Sequence, residues 1–135
     1  MNPDKSTLTF EQDPLAIAYP ESREFWVAAE MGNLLLKTCD ECGRAHWYPR
    51  TLCPLCGSER TQWKVGSGTG TIYAFSRSRR MDPPCTLAYV TLSEGPMLMT
   101  HIVDARAEDL KIGQAVSVQF RPTAEGRAMP FFSTV

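Results

Sequence analysis

Four cysteines arranged as two Cys-x-x-Cys pairs are the residues in this sequence best suited to carry chemistry. The pairs are Cys39 with Cys42 and Cys53 with Cys56, and ten residues separate them. Each pair places two sulfurs on one side of a tight backbone knuckle, and two knuckles together complete a tetrahedron of thiolates. Gly43 and Gly57 follow the pairs, where the chain often needs the positive φ that glycine adopts cheaply. The pattern predicts one Zn²⁺ site.

The expected role of this metal is structural. Four thiolates leave no open coordination position, so the ion should not activate water, and its binding energy serves instead to fold a small segment. Iron held by four cysteines is an alternative that the spacing leaves open. A redox-active Cys-x-x-Cys is less favoured, because two pairs are present and no βαβ pattern surrounds them.

The other residues with reactive side chains form no recognisable catalytic group. Cys85 precedes a predicted strand and is interpreted as a buried, inert thiol, since a catalytic cysteine would need a base nearby. His46 lies in the cysteine-rich hairpin, where it could substitute for a metal ligand. His101 lies inside a β-type run and is expected to be structural.

Composition limits the classes of partner. The chain has 135 residues with 14 basic and 15 acidic side chains, so nothing in its overall charge attracts nucleic acid or an anionic membrane. No apolar stretch approaches the roughly 20 residues that span a bilayer, and the polar N-terminus lacks the apolar centre of a secretory signal. We therefore expect a cytoplasmic protein whose cysteines are thiols or metal ligands.

The elements that must position the cysteines follow from residue patterns. Residues 1–19 show little periodicity and predict a flexible arm. Residues 20–32 predict a short helix that starts at Pro20 and ends at Gly32. Its aromatic residues Phe25 and Trp26 either dock the helix on the body or contact a partner. Residues 34–36 predict a strand that enters the metal site.

The C-terminal half predicts a small β-barrel. A turn-rich crossing after Cys56 leads into β-type runs, of which residues 69–76 and 115–120 alternate polar and apolar residues, the period of half-buried strands. The predicted strands are residues 69–76, 87–92, 97–103, 115–120 and 129–135. Five short strands of this kind suggest an OB-fold. The predicted divisions are therefore an arm (1–19), a helix with a zinc ribbon (20–64) and a barrel (65–135).

The order of these parts resembles a widespread zinc-ribbon and OB-fold family, domain of unknown function family 35. The resemblance spans roughly residues 20–135. It is carried by ten short segments: Phe25-Trp26, Gly32 to Leu34, Cys39 to Gly43, Pro49-Arg50, Cys53 to Gly57, Gly68 to Tyr73, Val90 to Pro96, Ile102 to Asp104, Asp109 to Gly113 and Met129 to Phe131. One departure is Ala105, where many relatives carry cysteine. The implied fold is mainly β: an N-terminal helix, a rubredoxin-like ribbon and a five-stranded OB-fold barrel.

The resemblance implies a non-catalytic accessory subunit rather than a free-standing enzyme. Members of that family pair with thiolase-like, aldolase-type or MaoC-like hydratase enzymes that act on acyl-CoA, bridge their subunits and help to hold the CoA moiety. The expected state is therefore a hetero-oligomer with such an enzyme, in the presence of a CoA thioester.

Two groups of residues are candidates for these contacts. Arg77, Arg79 and Arg80 follow the first barrel strand and could clamp the phosphates of CoA, or could form a solvated edge that protects the strand. Trp47 and Trp63, with the aromatic pair of the helix, offer contact area to a partner, although packing under the zinc knuckles explains them equally well.

Two other functions are weighed against the accessory role. OB-folds and ribbons also bind nucleic acid, but the slightly acidic chain has only one concentration of basic residues. Catalysis by Cys85 or His101 alone rests on no constellation of groups. The sequence thus favours an accessory subunit, with nucleic-acid binding as the alternative.

Overall fold

The computed structural model describes residues 12–81 and 84–135, and its elements form a helical segment, a small sheet and a barrel. The helices are α1 (Pro14–Ala18) and α2 (Arg23–Glu30). The strands are β1 (Leu35–Cys39), β2 (Ala45–His46), β3 (Thr61–Val65), β4 (Thr69–Ser78), β5 (Cys85–Leu92), β6 (Met97–Ile102), β7 (Ala115–Pro122) and β8 (Ala128–Thr134). Neither described helix has the length and apolar character that crossing a bilayer requires.

The predicted helix is confirmed, but its α-helical part begins at Arg23 rather than at Pro20. A 3-10 turn over Pro20–Ser22 leads into α2, and Gly32, at φ +81°, ends the helical segment. The N–H of Asn33 donates to the Ala28 carbonyl at 2.9 Å, which closes the C-terminus of the helix. One face of α2 is buried, and it consists of Phe25, Ala28 and Ala29. This face docks the helix on the body of the protein.

The prediction of a flexible arm over residues 1–19 is wrong for the part that the structure describes, while residues 1–11 lie outside the described residues. Pro14–Ala18 form α1, and the Asp13 carboxylate accepts a hydrogen bond from the N–H of Leu15 at 2.9 Å. The same carboxylate accepts from Arg127 Nε at 2.9 Å and from Nη2 at 2.5 Å. A partner 114 residues away anchors this segment, and local sequence patterns contain no sign of such a contact.

The small sheet has the order β2-β1-β3, with both pairs antiparallel. Strand β3 lies in the segment interpreted as a turn-rich crossing, so that interpretation is wrong for Thr61–Val65. Its residues are mostly polar or exposed, but they pair along the whole of β1, with Lys37 opposite Trp63. Lys37 Nζ lies 4.5 Å from the Trp63 ring centre. Pairing and this cation–π contact hold a strand that lacks an apolar pattern.

The five predicted barrel strands are confirmed, and they close in the order β4-β5-β6-β8-β7. The single parallel contact joins Ile102 on β6 to Phe132 on β8, and the other neighbours are antiparallel. A bulge between Ile72 and Ala74 shifts the register of β4 against β5. This is the arrangement of an OB-fold barrel.

The barrel and the ribbon share one hydrophobic core. Ile72, Val90 and Phe132 fill the barrel interior, and the same cluster includes Leu34 and Leu36 from the start of the ribbon. Because these side chains are contiguous, the two parts are packed together rather than joined by a linker alone.

A glycine allows the close approach of two barrel strands. A Cβ built on Gly70 would lie 2.5 Å from the Thr91 carbonyl oxygen, so any larger residue would push β5 away from β4.

Replacement of Arg127 by alanine should lower the free energy of unfolding by about 3 kcal/mol, because it leaves the Asp13 carboxylate buried without its cation. The two side chains are only 12% and 5% exposed. Chemical denaturation would measure the loss. The matched control is Arg121→Ala, which removes the exposed ion pair with Asp104 and should cost less than about 1 kcal/mol. Equal losses in the two variants would contradict the anchoring role.

Candidate metal centre and binding surfaces

The four cysteines of the two Cys-x-x-Cys pairs meet at one point of the ribbon. Their Sγ atoms all lie within 4.8 Å of one another. The Sγ atoms of Cys39 and Cys56 are 3.5 Å apart, and those of Cys42 and Cys53 are 3.8 Å apart. A tetrahedral Zn²⁺ with bonds of about 2.3 Å places neighbouring sulfurs about 3.8 Å apart. The donor set therefore fits zinc in both number and spacing.

The two knuckles are built by the same backbone contacts. In each, the glycine after the second cysteine donates its N–H to the carbonyl of the first: Gly43 to Cys39 at 2.9 Å, and Gly57 to Cys53 at 2.8 Å. Both glycines have positive φ, +73° and +79°. The duplicated glycine is thus required by the turn that aims the sulfurs inward.

Electrostatics make the cluster dependent on a cation. The backbone N–H of Arg44 is the main cause that lowers the pKa of Cys42 to about 6. The N–H of Ser58 acts in the same direction on Cys56, but burial and the other three cysteines together raise the pKa of Cys56 to about 12. Four thiolates so close together repel one another unless a divalent cation offsets their charge. Once bound, Zn²⁺ would supply this charge and hold the two knuckles together.

The histidines do not belong to the metal cluster. His46 is buried on β2, and within the described part of the chain neither of its ring nitrogens has a hydrogen-bond partner. Its burial, reinforced by the charges of Lys37 and Arg50, lowers the pKa of the imidazole, so the ring is neutral at pH 7. His101 stacks on Phe131 with ring centres 5.2 Å apart. That contact agrees with the expected structural role of His101.

Cys85 is not the buried thiol that the sequence predicts. It begins β5, is partly exposed and lines a cavity of about 380 Å³ with Arg77 and Glu108. Its Sγ lies 3.2 Å from the sulfur of Met81, and within the described residues no histidine forms a hydrogen bond with it. A nucleophilic role would need a base that these contacts do not supply.

The three candidate phosphate-binding arginines differ in their surroundings. Arg77, at the end of β4, donates from Nη1 to the Glu108 carboxylate at 2.9 Å, so part of its charge is already offset. Arg79 and Arg80 lie in the exposed bend after β4, and within residues 12–81 and 84–135 no ion pair is found for either of them. A phosphate contact of the three arginines stays a prediction.

The aromatic residues of the helix and ribbon are mainly packing groups. Phe25 is 3% exposed and makes edge-on contacts with Trp26 at 4.9 Å and Trp47 at 5.3 Å between ring centres. Its predicted contact with a partner is wrong, because the ring lies between helix and ribbon. Trp26, Trp47 and Trp63 are half-buried against the same core. A partner role for these three tryptophans stays a prediction.

An exposed apolar surface on the barrel is the main feature that sequence reasoning missed. We call it the barrel apolar face and define it by Tyr73, Leu87, Tyr89, Met97, Met99, His101 and Phe131, which lie on the outer side of β4, β5, β6 and β8. The signal was present in the sequence. In β5 and β6, apolar residues occupy the outward positions as well as the inward ones, so these strands lack the polar outer row of a solvated sheet.

Comparison with protein families gives two matches that adjoin along the chain. Residues 26–62 match the family profile of the ChsH2 rubredoxin-like zinc ribbon domain. Residues 63–121 match that of the ChsH2 C-terminal OB-fold domain. The predicted fold and the structural zinc site are thereby confirmed, with four cysteines in place to bind the ion.

Two curated relatives differ in length. A probable enoyl-CoA hydratase alpha subunit from Thermomonospora curvata is 28% identical over 138 residues, which cover 95% of this chain and 43% of the relative. The chain thus spans less than half the length of that protein. A DUF35 domain-containing scaffold protein from Methanocaldococcus jannaschii is 32% identical over 95 residues, which cover 64% of this chain and 67% of the relative.

Two solved structures share the fold. A chain of the structure described as "Ltp2-ChsH2(DUF35) aldolase" superposes with a TM-score of 0.72 at 25% identity, covering 84% of this chain and 93% of that one. A DUF35 protein from Sulfolobus solfataricus superposes with a TM-score of 0.65 at 13% identity, covering 89% and 92% of the two chains. The second match supports the fold alone.

Replacement of Cys53 by serine should remove the bound zinc and lower the thermal midpoint by about 10 °C or more, because binding of the metal contributes to folding. Metal analysis of the purified protein and thermal unfolding would measure the two effects. Cys85→Ser is the matched control, since this cysteine lies outside the cluster, and it should keep one zinc per chain. Full zinc occupancy with unchanged stability in the Cys53 variant would contradict the assignment.

Proposed function

We propose that this chain, which belongs to the DUF35 family of zinc-ribbon and OB-fold proteins, is a non-catalytic accessory subunit of a thiolase-, aldolase- or hydratase-type acyl-CoA enzyme. The observation that carries this proposal is the likeness, across ribbon and barrel together, to a chain of a structure described as an Ltp2-ChsH2(DUF35) aldolase. Relatives named as scaffold proteins, and another named as a subunit of a probable enoyl-CoA hydratase, point in the same direction.

The chemistry of the described residues supports a role without catalysis. The four-thiolate site offers no position for a substrate or water. Neither Cys85 nor His101 has a neighbouring acid or base in hydrogen-bond contact, and the buried His46 is held neutral and is 5% exposed. The reacting groups would then come from the partner enzyme.

The shared core supports a bridging role. Leu34 and Leu36 of the ribbon pack into the same cluster as Val90 and Phe132 of the barrel, so the surfaces of the two parts keep a fixed separation. A subunit that bridges two others must hold its contact surfaces at a defined distance, since a flexible link would weaken simultaneous engagement.

Arg79 and Arg80 are proposed to help hold the CoA moiety. CoA carries a 3′-phosphate and a pyrophosphate, and guanidinium groups bind such oxygens through paired N–H donors. Both residues are exposed in the bend that follows Arg77, and Arg77 itself lines a cavity of about 380 Å³. Arg77 would contribute less, because Glu108 already occupies one of its nitrogens.

The alternative of nucleic-acid binding has weaker support. OB-folds bind single strands on the face of their second and third strands through stacking aromatics and a basic groove. The corresponding strands here are β5 and β6, whose outward residues include Tyr89 but no lysine or arginine. Without cations beside the stacking surface, the electrostatic attraction that dominates such binding is missing.

When the full-length protein is co-expressed with the acyl-CoA aldolase and hydratase subunits of the same organism, it should purify with one of them as a complex of defined mass. Light scattering on the eluted complex would give its composition. The chain alone should show no turnover of an acyl-CoA substrate. Two proteins that elute separately at micromolar concentration, or turnover by the isolated chain, would contradict the accessory role.

In that complex, Arg79→Ala combined with Arg80→Ala should raise the KM for a CoA thioester about tenfold and leave kcat nearly unchanged, because the arginines would bind phosphates remote from the reacting carbon. The control substrate is an N-acetylcysteamine thioester, which lacks those phosphates and should show the same KM with both proteins. An unchanged KM for the CoA thioester would refute the phosphate contact.

A further inference from the structure

We propose that the barrel apolar face is the surface on which the catalytic partner docks, a proposal that rests on the accessory function argued above. The occupant is a larger, different protein that presents a flat or concave apolar surface. This face is outside the helix, the ribbon and the arginine-bearing bend, where the sequence pointed for partner and ligand contacts.

The face is continuous across neighbouring strands. Tyr89 on β5 pairs directly with Met99 on β6, and Leu87 pairs with His101 in the same register. His101 in turn stacks on Phe131 of β8. Two of its largest side chains are mostly exposed, Tyr73 at 60% and Met99 at 62%. Side chains of this size together present on the order of 500 Å² of apolar surface, near the upper end for a patch on a monomer.

The electrostatics of the face select an uncharged occupant. The outward positions of β5 and β6 hold no lysine, arginine, aspartate or glutamate; they are Cys85, Leu87, Tyr89, Thr91, Met97, Met99 and His101. In the chain as a whole, those four residue types make up 21% of the sequence. An outward row without lysine or arginine offers little to nucleic-acid or lipid phosphates, whereas depletion of charged residues is typical of the centre of a protein interface.

A groove in the face gives the partner a point of attachment. The bulge at Tyr73 sets β4 back from β5 and opens a groove of about 300 Å³ whose apolar walls include Phe75, Leu87, Tyr89 and Met99. A space of this size accepts one or two apolar side chains. Interfaces commonly concentrate their binding energy where an anchor residue fills such a pocket.

The face offers a partner side chains rather than free backbone groups. It is formed by the outward side chains of β4, β5 and β6, which pair along their length, whereas the single residue pair between β6 and β8 lies at its border. A second copy fits poorly, because two convex barrels that meet face to face touch along a narrow strip. The apolar area available is below the roughly 800 Å² per partner that a standard interface buries. A larger protein can curve around the barrel and make up the difference.

The test uses the full-length protein and an acyl-CoA aldolase or hydratase subunit of the same organism. Tyr89→Arg and Met99→Lys should each weaken the complex at least 100-fold in a titration, because a charge would be buried at the centre of the interface. The matched control is Ile112→Arg, which places a charge on an exposed apolar side chain outside the face and should leave affinity within about twofold. Circular dichroism should show that all three variants are folded, as the positions are exposed.

Mild peroxide oxidation gives a second readout on the unmodified protein. Met99 should be protected at least fivefold in the complex, whereas Met31, which follows the last residue of α2 and is similarly exposed at 69%, should oxidise at the rate of the free chain. If both charged variants still bind the partner as tightly as the wild type, and Met99 is not protected in the wild-type complex, this proposal is overturned and the accessory function is left intact. Absence of any complex with the wild type overturns both. If the wild type forms a homodimer and the Tyr89→Arg variant is monomeric, the face binds a second copy of this chain rather than a different protein.

Discussion

Mutual repulsion of four thiolates is the constraint on which the arrangement of the ribbon depends. The sulfurs converge to within 4.8 Å, and four negative charges at that distance require a divalent cation. The metal then fixes both knuckles, and Cys39 is also the last residue of β1. Strand β1 begins beside Leu34, and its residue Leu36 packs in the core that the ribbon shares with the barrel. The metal site is therefore held at a defined place relative to the barrel. Helix α2 packs on this same region through Phe25. Bound zinc would thus organise surfaces that lie well away from it.

Features set by local chemistry could be predicted from the sequence, and features set by distant contacts could not. The Cys-x-x-Cys-Gly knuckles were predictable because spacing alone determines where sulfurs and positive φ must fall. Strands β4 and β7 were predictable because burial on one side imposes a period of two, and β5 and β6 because two short β-type runs flank a turn at Ser93 to Pro96. Strand β3 was missed because it has no apolar row and depends on pairing with β1. Helix α1 was missed because Arg127, which anchors it through Asp13, comes from the turn before β8.

The candidate binding residues illustrate the same limit. A phenylalanine beside a tryptophan on a short helix has the same pattern whether it packs inward or contacts a partner, and only the edge-on contact with Trp47 shows that Phe25 packs inward. Three arginines in four residues look equivalent in sequence, but Glu108 approaches just one of them from 31 residues away. The barrel apolar face lay in segments predicted only as barrel strands, because a strand that is apolar on both faces does not show from its sequence which residues point outward; the register of the sheet shows it.

The proposed docking surface lies on β4 and its neighbours, and the proposed phosphate contacts lie in the bend that directly follows β4. Along β4 and β5, Ser76 pairs with Leu87 at the border of the apolar face, and Arg77 pairs with Thr86 one position further toward the arginine-bearing bend. A partner seated on the face would therefore present its neighbouring surface to Arg79 and Arg80. Apolar contacts would supply binding energy without regard to substrate, while the arginines would act only when the phosphates of CoA are present. Such a division allows the subunit to stay bound through a reaction cycle while the CoA ligand enters and leaves.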